Sequence, residues 1–235
     1  MKRVINIFVS GLLTFGISGL KFHGSTDKNC IFAFFAMHSI DKISLQDMII
    51  GLTPIFIFTF SMHDFISEIF LSKNIYFLTR FCSRRVLLFR RLVYSFILAI
   101  INSLSVILSF IISSDIFGDE MILPTYTDFF IWLCTLSVLS LIILLLFNCI
   151  NLFFNSTIGI LLDVVVLFIS IILANANTAS FHSANSLNPL SWIMIIALNQ
   201  FDFRLFSTQI MELIVVILIY DLIIQRIDIG LINNE

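Results

Sequence analysis

From Leu92 to Ser113 the chain runs without one charged side chain. A run of that length is what a helix needs to cross the hydrocarbon of a bilayer, roughly 17–25 residues at a rise of about 1.5 Å each. Five further apolar segments cover about 4–20, 48–62, 128–150, 158–175 and 206–224. Inside lipid a helix satisfies every backbone N–H and C=O within its own segment. The pattern therefore predicts an all-α, polytopic membrane protein: one domain over residues 1–235 with six transmembrane helices. Composition agrees, with 59% hydrophobic and 12% charged residues. A soluble domain is nearer half apolar and a quarter charged; this chain has too little polar surface to cover a globule in water.

Charge sets the expected direction of threading. Six of the thirteen Lys and Arg residues fall between Ser67 and Arg91, and none lies between Arg91 and Arg204. Basic residues beside membrane helices are held on the cytoplasmic side. Six crossings put Lys2 and Arg3, the arginine-rich segment and Arg226 all inside the cell, and the acidic loop of Asp115, Asp119 and Glu120 outside. One crossing more or fewer would strand one of the basic groups. The expectation is a multi-pass plasma-membrane protein with both termini cytoplasmic. The net charge of −2 gives no bulk attraction to nucleic acid.

The segment 63–91 also has internal order. Asp64 and Glu68 stand one helical turn apart, with Ser61 and Ser72 extending their row. Phe65, Ile66, Ile69, Phe70, Tyr76 and Phe77 gather on the other side, the period of an amphipathic helix. Two readings stay open: an anchor in the headgroup layer, or a helix that docks on another protein.

Finer features follow along the chain. Ser10, Thr14 and Ser18 recur every four residues, a small-residue face for close helix packing. Pro54 is expected to kink the second helix. Tyr126 and Trp132 read as interface anchors, and Asn148 to Thr157 as a short polar turn. The apolar island Ile31–Met37 is too short to span. So is Leu190–Leu198, which follows the start signal Asn188-Pro189 and reads as a re-entrant or interfacial helix. Cys30, Cys82, Cys134 and Cys149 show no CxxC spacing and read as packing residues. The four histidines are dispersed, so no metal cluster is expected.

Little catalytic chemistry is legible. Gly16-Ile17-Ser18-Gly19 matches the G-x-S-G string of intramembrane serine proteases, but no histidine lies deep in a helix to act as base. Asp163 and Glu212 are the carboxyl groups inside apolar helices, and buried charge in a membrane suggests function by default. A helix-packing hydrogen bond and a place on a substrate path remain the two options. Their positions imply a difference in depth on the order of 10 Å, too far to share a proton. No G-x-x-x-x-G-K-[ST] motif occurs, so any ATP-driven work needs another chain.

In arrangement the chain resembles the small permease subunits of ABC-2-type exporters of Gram-positive bacteria. The resemblance rests on six helices with both ends inside; on the amphipathic segment Asp64–Leu78 followed by Thr79-Arg80-Phe81-Cys82-Ser83-Arg84-Arg85; and on the broken segment opening at Asn188-Pro189-Leu190 between the fifth and sixth helices. It implies that Asp64, Phe65, Glu68, Ile69, Tyr76, Arg80, Arg84 and Arg85 couple to a separate ABC ATPase. It implies too that Asn188, Pro189 and Trp192 belong to an outer gate and that Asp163 and Glu212 line the path. ATP and Mg would sit on the partner ATPase, with no cofactor on this chain and no catalytic residue. A second permease copy, identical or related, would complete the path within the lipid bilayer. The Phe-rich helices suit a peptide cargo, such as an antimicrobial peptide, or a lipid-like one. The competing readings are a proton- or ion-coupled secondary transporter using Asp163 and Glu212, and a non-transporting membrane immunity or scaffold protein.

Overall fold

The computed structural model of the chain describes residues 2–22, 45–62, 65, 84–117, 125–154, 156–176 and 203–226. These residues form six helices: α1 (Lys2–Phe22), α2 (Leu45–Ser61), α3 (Arg84–Phe117), α4 (Tyr126–Phe153), α5 (Ser156–Ala176) and α6 (Phe203–Arg226). Three are long and apolar enough to cross a membrane, over Val86–Phe117, Tyr126–Phe153 and Phe206–Gln225. The described residues are all-helical, and the length and apolarity of these three helices suggest a membrane protein.

α4 is the hub. It packs on α2, α3, α5 and α6, and every residue from Thr135 to Leu145 is buried. A helix that is apolar all round is wrapped either by lipid or by its neighbours; here it is the neighbours. Its first turn is fixed by a capping box. The Asp128 N–H donates to Thr125 Oγ1 at 3.3 Å, and the Thr125 N–H donates to Asp128 Oδ2 at 3.1 Å. That box starts the helix at 126, ahead of the expected 128. The outer helices turn broad apolar faces outward. Leu161, Val165, Phe168 and Ile172 of α5, and Met211, Ile214, Leu218 and Leu222 of α6, are about half exposed.

Side-chain pairings give the helix directions. α1 and α3 run parallel, because Ser10 meets Asn102 and Phe15 meets Ser113 and Phe117. α2, α4 and α6 also run parallel to one another: Met62 follows α2 and meets Asn148, Phe60 meets Phe147, and Thr135 meets Gln209. The two sets are antiparallel, since Phe110 of α3 lies against Trp132 of α4 with ring centroids 4.8 Å apart. Successive helices therefore alternate in direction. The main apolar cluster joins Ile7, Phe58, Met62, Phe65, Leu88, Leu145, Leu152, Tyr220 and Ile224. It gathers the starts of α1 and α3 and the ends of α2, α4 and α6 at one end of the bundle, called here the basal end.

The most extensive packing is between α1 and α3, along the row of small residues expected from the sequence. Ser10, Thr14 and Ser18 are fully buried. The Ser10 Oγ lies 2.6 Å from Asn102 Oδ1, and the Ser113 hydroxyl donates to the Phe15 carbonyl at 3.2 Å. A Cβ on Gly11 would overlap Ser105 Oγ and lie 3.2 Å from Ser109 Oγ. Lipid gives two helices no hydrophobic reason to associate, so close approach and interhelical hydrogen bonds must hold the pair.

Four expectations need correction. α3 does not begin at about 92 but at Arg84. The arginine run is helical and continuous with the span, and straight-chain Arg and Leu are good helix formers. Trp132 is not an interface anchor: it is 1% exposed and packed edge-on against Phe110. Tyr126, by contrast, is 98% exposed. The polar turn 148–157 is largely helical instead, because α4 continues to Phe153 and α5 begins at Ser156. Asn148 can stay helical because its carboxamide donates to the Leu144 carbonyl of its own helix at 2.9 Å and to the Met62 carbonyl across the bundle at 3.3 Å. Fourth, Phe65 does not belong to an outward docking face; it is 2% exposed and part of the basal core. α2 itself runs unbroken through Pro54.

Candidate functional site

The basal end is the first candidate region. α3 is 34 residues long, about 51 Å at 1.5 Å per residue, against roughly 30 Å of hydrocarbon. Its first two turns carry Arg84, Arg85, Arg90 and Arg91. Residues 92–117 alone are long enough to cross, so the arginine turns are not needed for a span. Arg90 is exposed. Arg91 is partly buried, with its guanidinium carbon 4.3 Å from the centroid of the Phe65 ring. Phe65 also meets Tyr94 at 5.4 Å. The residue that follows α2 is thereby fastened to the start of α3 by packing and a cation–π contact worth about 0.5–2 kcal/mol. Lys2, Arg3 and Arg226 sit on the terminal turns of α1 and α6 at this same end. Of the residues that the resemblance assigns to coupling, Asp64, Glu68, Ile69, Tyr76 and Arg80 lie outside the described residues, and so do the gate positions Asn188, Pro189 and Trp192.

The second region is the interior, where Asp163 and Glu212 lie on different helices. Among its described side chains α5 buries a narrow stripe, Gly159, Asp163 and Leu167, spaced four residues apart. Asp163 is fully buried, and neither carboxyl oxygen has a hydrogen-bond partner among the described residues. Glu212 is partly exposed, with one buried oxygen, Oε1, likewise without a partner there. Register separates the two groups along the bundle. Gly159 stands against Asn151, which puts Asp163 level with Phe147 on antiparallel α4. Thr135 pairs with Gln209, which puts Glu212 level with Val138. Nine residues of helix separate those levels, roughly 13 Å, so the carboxyl groups do not form a pair.

Sequence reading missed the polar side chains that hold the interior together. Gln209 is fully buried and exchanges hydrogen bonds with Thr135 at 3.3 and 3.4 Å. Asn102 accepts from Ser10, and Asn148 ties α4 to the carbonyl of Met62. Each is a lone amide or hydroxyl inside an apolar run, and that was the available signal. The Met62 carbonyl keeps the Phe65 N–H at 3.0 Å, so what truncation removes is the two carboxamide hydrogen bonds, each worth about 0.5–1.5 kcal/mol net. Asn148→Ala is therefore expected to lower stability by about 1–2 kcal/mol, read as a fall in melting temperature of the detergent-solubilised chain. Asn148→Gln should recover little, since the longer side chain cannot reach both carbonyls from one rotamer.

The GISG serine is spent on its own helix: Ser18 Oγ donates to the Thr14 carbonyl at 2.7 Å. Cys134 and Cys149 are free thiols in partly buried positions, as packing residues would be. Among the described residues no three His, Cys, Asp or Glu side chains converge as a metal cluster would require. Comparison of the chain with protein families, with curated proteins and with solved structures finds no match.

Proposed function

We propose that this chain is the membrane-spanning permease subunit of an ATP-binding-cassette exporter. A peptide, such as an antimicrobial peptide, or a lipid-like molecule is the cargo, and a separate subunit hydrolyses ATP. One observation carries the reading. The arginine turns of α3 extend the helix past its apolar span at the basal end, where the helical turns of Lys2, Arg3 and Arg226 also lie. Basic residues so grouped are retained in the cytoplasm. This orients the bundle in the plasma membrane with both termini inside and offers a cationic ledge to a cytoplasmic motor. The outward apolar faces of α5 and α6 leave room for lipid and for the second permease that such a path needs.

In this mechanism nucleotide closure of the motor acts on the ledge and on the segment before it. Phe65, locked to Arg91 and Tyr94, passes that displacement into the starts of α3 and the ends of α2 and α4. A rigid linkage at this point matters because packed interiors transmit small shifts instead of absorbing them.

The test is co-purification from native membranes. An ATPase subunit is expected to copurify, and Arg84→Glu combined with Arg85→Glu should reduce its recovery about tenfold or more, since reversed charge at an interface costs several kcal/mol. The melting temperature of the permease alone should not move. Recovery of the assembly with no nucleotide-hydrolysing companion would overturn the proposal.

A further inference from the structure

Asp163 presents a problem of charge that no described residue solves. It is 0% exposed and sits between α5 and the two helices that α5 packs on, α4 and α2. Neither of those helices contains Lys, Arg or His. An ionised carboxylate without a partner cation costs several kcal/mol or more in such surroundings. Among the described residues nothing compensates that charge.

The neighbourhood offers further oxygen. Helical side chains lean toward the N-terminus of their helix, so the Asp163 carboxyl lies over the turn that begins at Gly159. On that turn rests the Asn151 carboxamide oxygen, in space that any Cβ at 159 would occupy. Glycine is the one residue that admits it. A carboxylate and an amide oxygen are hard ligands, suited to hard cations and to protons. One carboxylate balances one positive charge; a divalent ion would leave net charge in a low-dielectric interior. Full burial excludes an organic ammonium. Other ionisable groups on the packed helices are remote or neutral: Asp47 at the far end of α2, Tyr126, Asp128 and Cys134 toward the far end of α4, and the thiol of Cys149 on the basal side.

We propose that the Asp163 carboxyl, with the Asn151 carboxamide seated on Gly159, forms a binding site for one small monovalent cation, a sodium ion or a proton, between α2, α4 and α5. The site is independent of the permease reading, and its failure would leave the ATPase co-purification result unchanged.

The test uses the full chain in detergent. Dicyclohexylcarbodiimide adds to buried neutral carboxyl groups, and mass spectrometry locates the adduct. In sodium-free choline buffer Asp163 should be modified. If the occupant is sodium, sodium chloride should slow that reaction about tenfold at ten times its dissociation constant. It should also raise the melting temperature by about a few degrees, a rise lost in Asp163→Asn. If the occupant is a proton, modification proceeds at the same rate in sodium and choline. Two outcomes overturn the site: an unmodified Asp163 together with a melting temperature that sodium does not change, or a sodium-dependent shift that Asp163→Asn retains. The labelling arm needs no variant, so it holds even if the substituted chain does not fold.

Discussion

Gly11→Leu should leave little or no monodisperse protein, whereas Gly16→Leu, five residues further on the same helix, should be nearly silent. At Gly11 the first added carbon already overlaps Ser105 Oγ, and Ser109 Oγ is 3.2 Å away. A rotating hydroxyl could accommodate a methyl group. It cannot accommodate four carbons directed at the backbone of a parallel helix. Overpacking of this kind costs typically 1–3 kcal/mol for a few extra methylenes in a core, and more when the site cannot relax. The membrane setting sharpens the effect, because once α1 is pushed away no hydrophobic term draws it back. The Ser10–Asn102 and Ser113–Phe15 hydrogen bonds would be lost together. Gly16 has nothing within 4 Å of its would-be Cβ, so leucine there adds a lipid-facing side chain at a cost within about 0.5 kcal/mol. Size-exclusion profiles and melting curves of the two variants in one detergent make the comparison. Equal behaviour would show that the α1–α3 contact does not hold the bundle together.

That contact was legible in advance because it is written as a period. Ser10, Thr14 and Ser18 repeat every four residues, so they share one face of any helix. The apolar runs were legible for the same reason: composition over a score of residues decides whether a segment suits lipid. Side-chain destinations were not. Trp132 sits four residues beyond the start of an apolar helix and reads as an anchor, but the ring of Phe110 on another helix gives it a buried partner. Asn148 reads as a turn residue, since its main competitor to helix is hydrogen bonding to nearby backbone. It stays helical because an acceptor 86 residues earlier in the chain, the Met62 carbonyl, comes into reach. Arginines 84–91 look like a boundary only to a hydropathy reading, because a helix ends where its hydrogen bonds end and not where its apolarity does. For the candidate sites the division is similar. Asp163 stands out in the sequence as a charge in an apolar run. The absence of Lys, Arg and His from α2 and α4, and the Gly159 contact that sets Asn151 one turn of α5 before it, depend on which helices touch.

Phe65→Ala should destabilise the isolated chain by about 3 kcal/mol, the usual scale for removing a buried phenyl ring. The choice between two roles rests on that number. The sequence places Phe65 on the apolar side of a segment expected to dock on a partner. A docking contact would be exposed in the free subunit, and its loss would weaken assembly while leaving the subunit's own melting temperature unchanged. The ring is instead 2% exposed, packed against Tyr94 and covered by the Arg91 guanidinium. Truncation would open a cavity in the basal core and leave a partly buried cation without its π partner. The loss should appear with no second protein in the sample. Phe65→Leu should recover about half of it, because leucine refills most of the volume but has no π face to offer Arg91. Arg91→Gln should cost less than Phe65→Ala, about 0.5–2 kcal/mol. An isolated Phe65→Ala chain that melts like the wild type would put Phe65 back on an outward surface and remove the link between α2 and the arginine ledge.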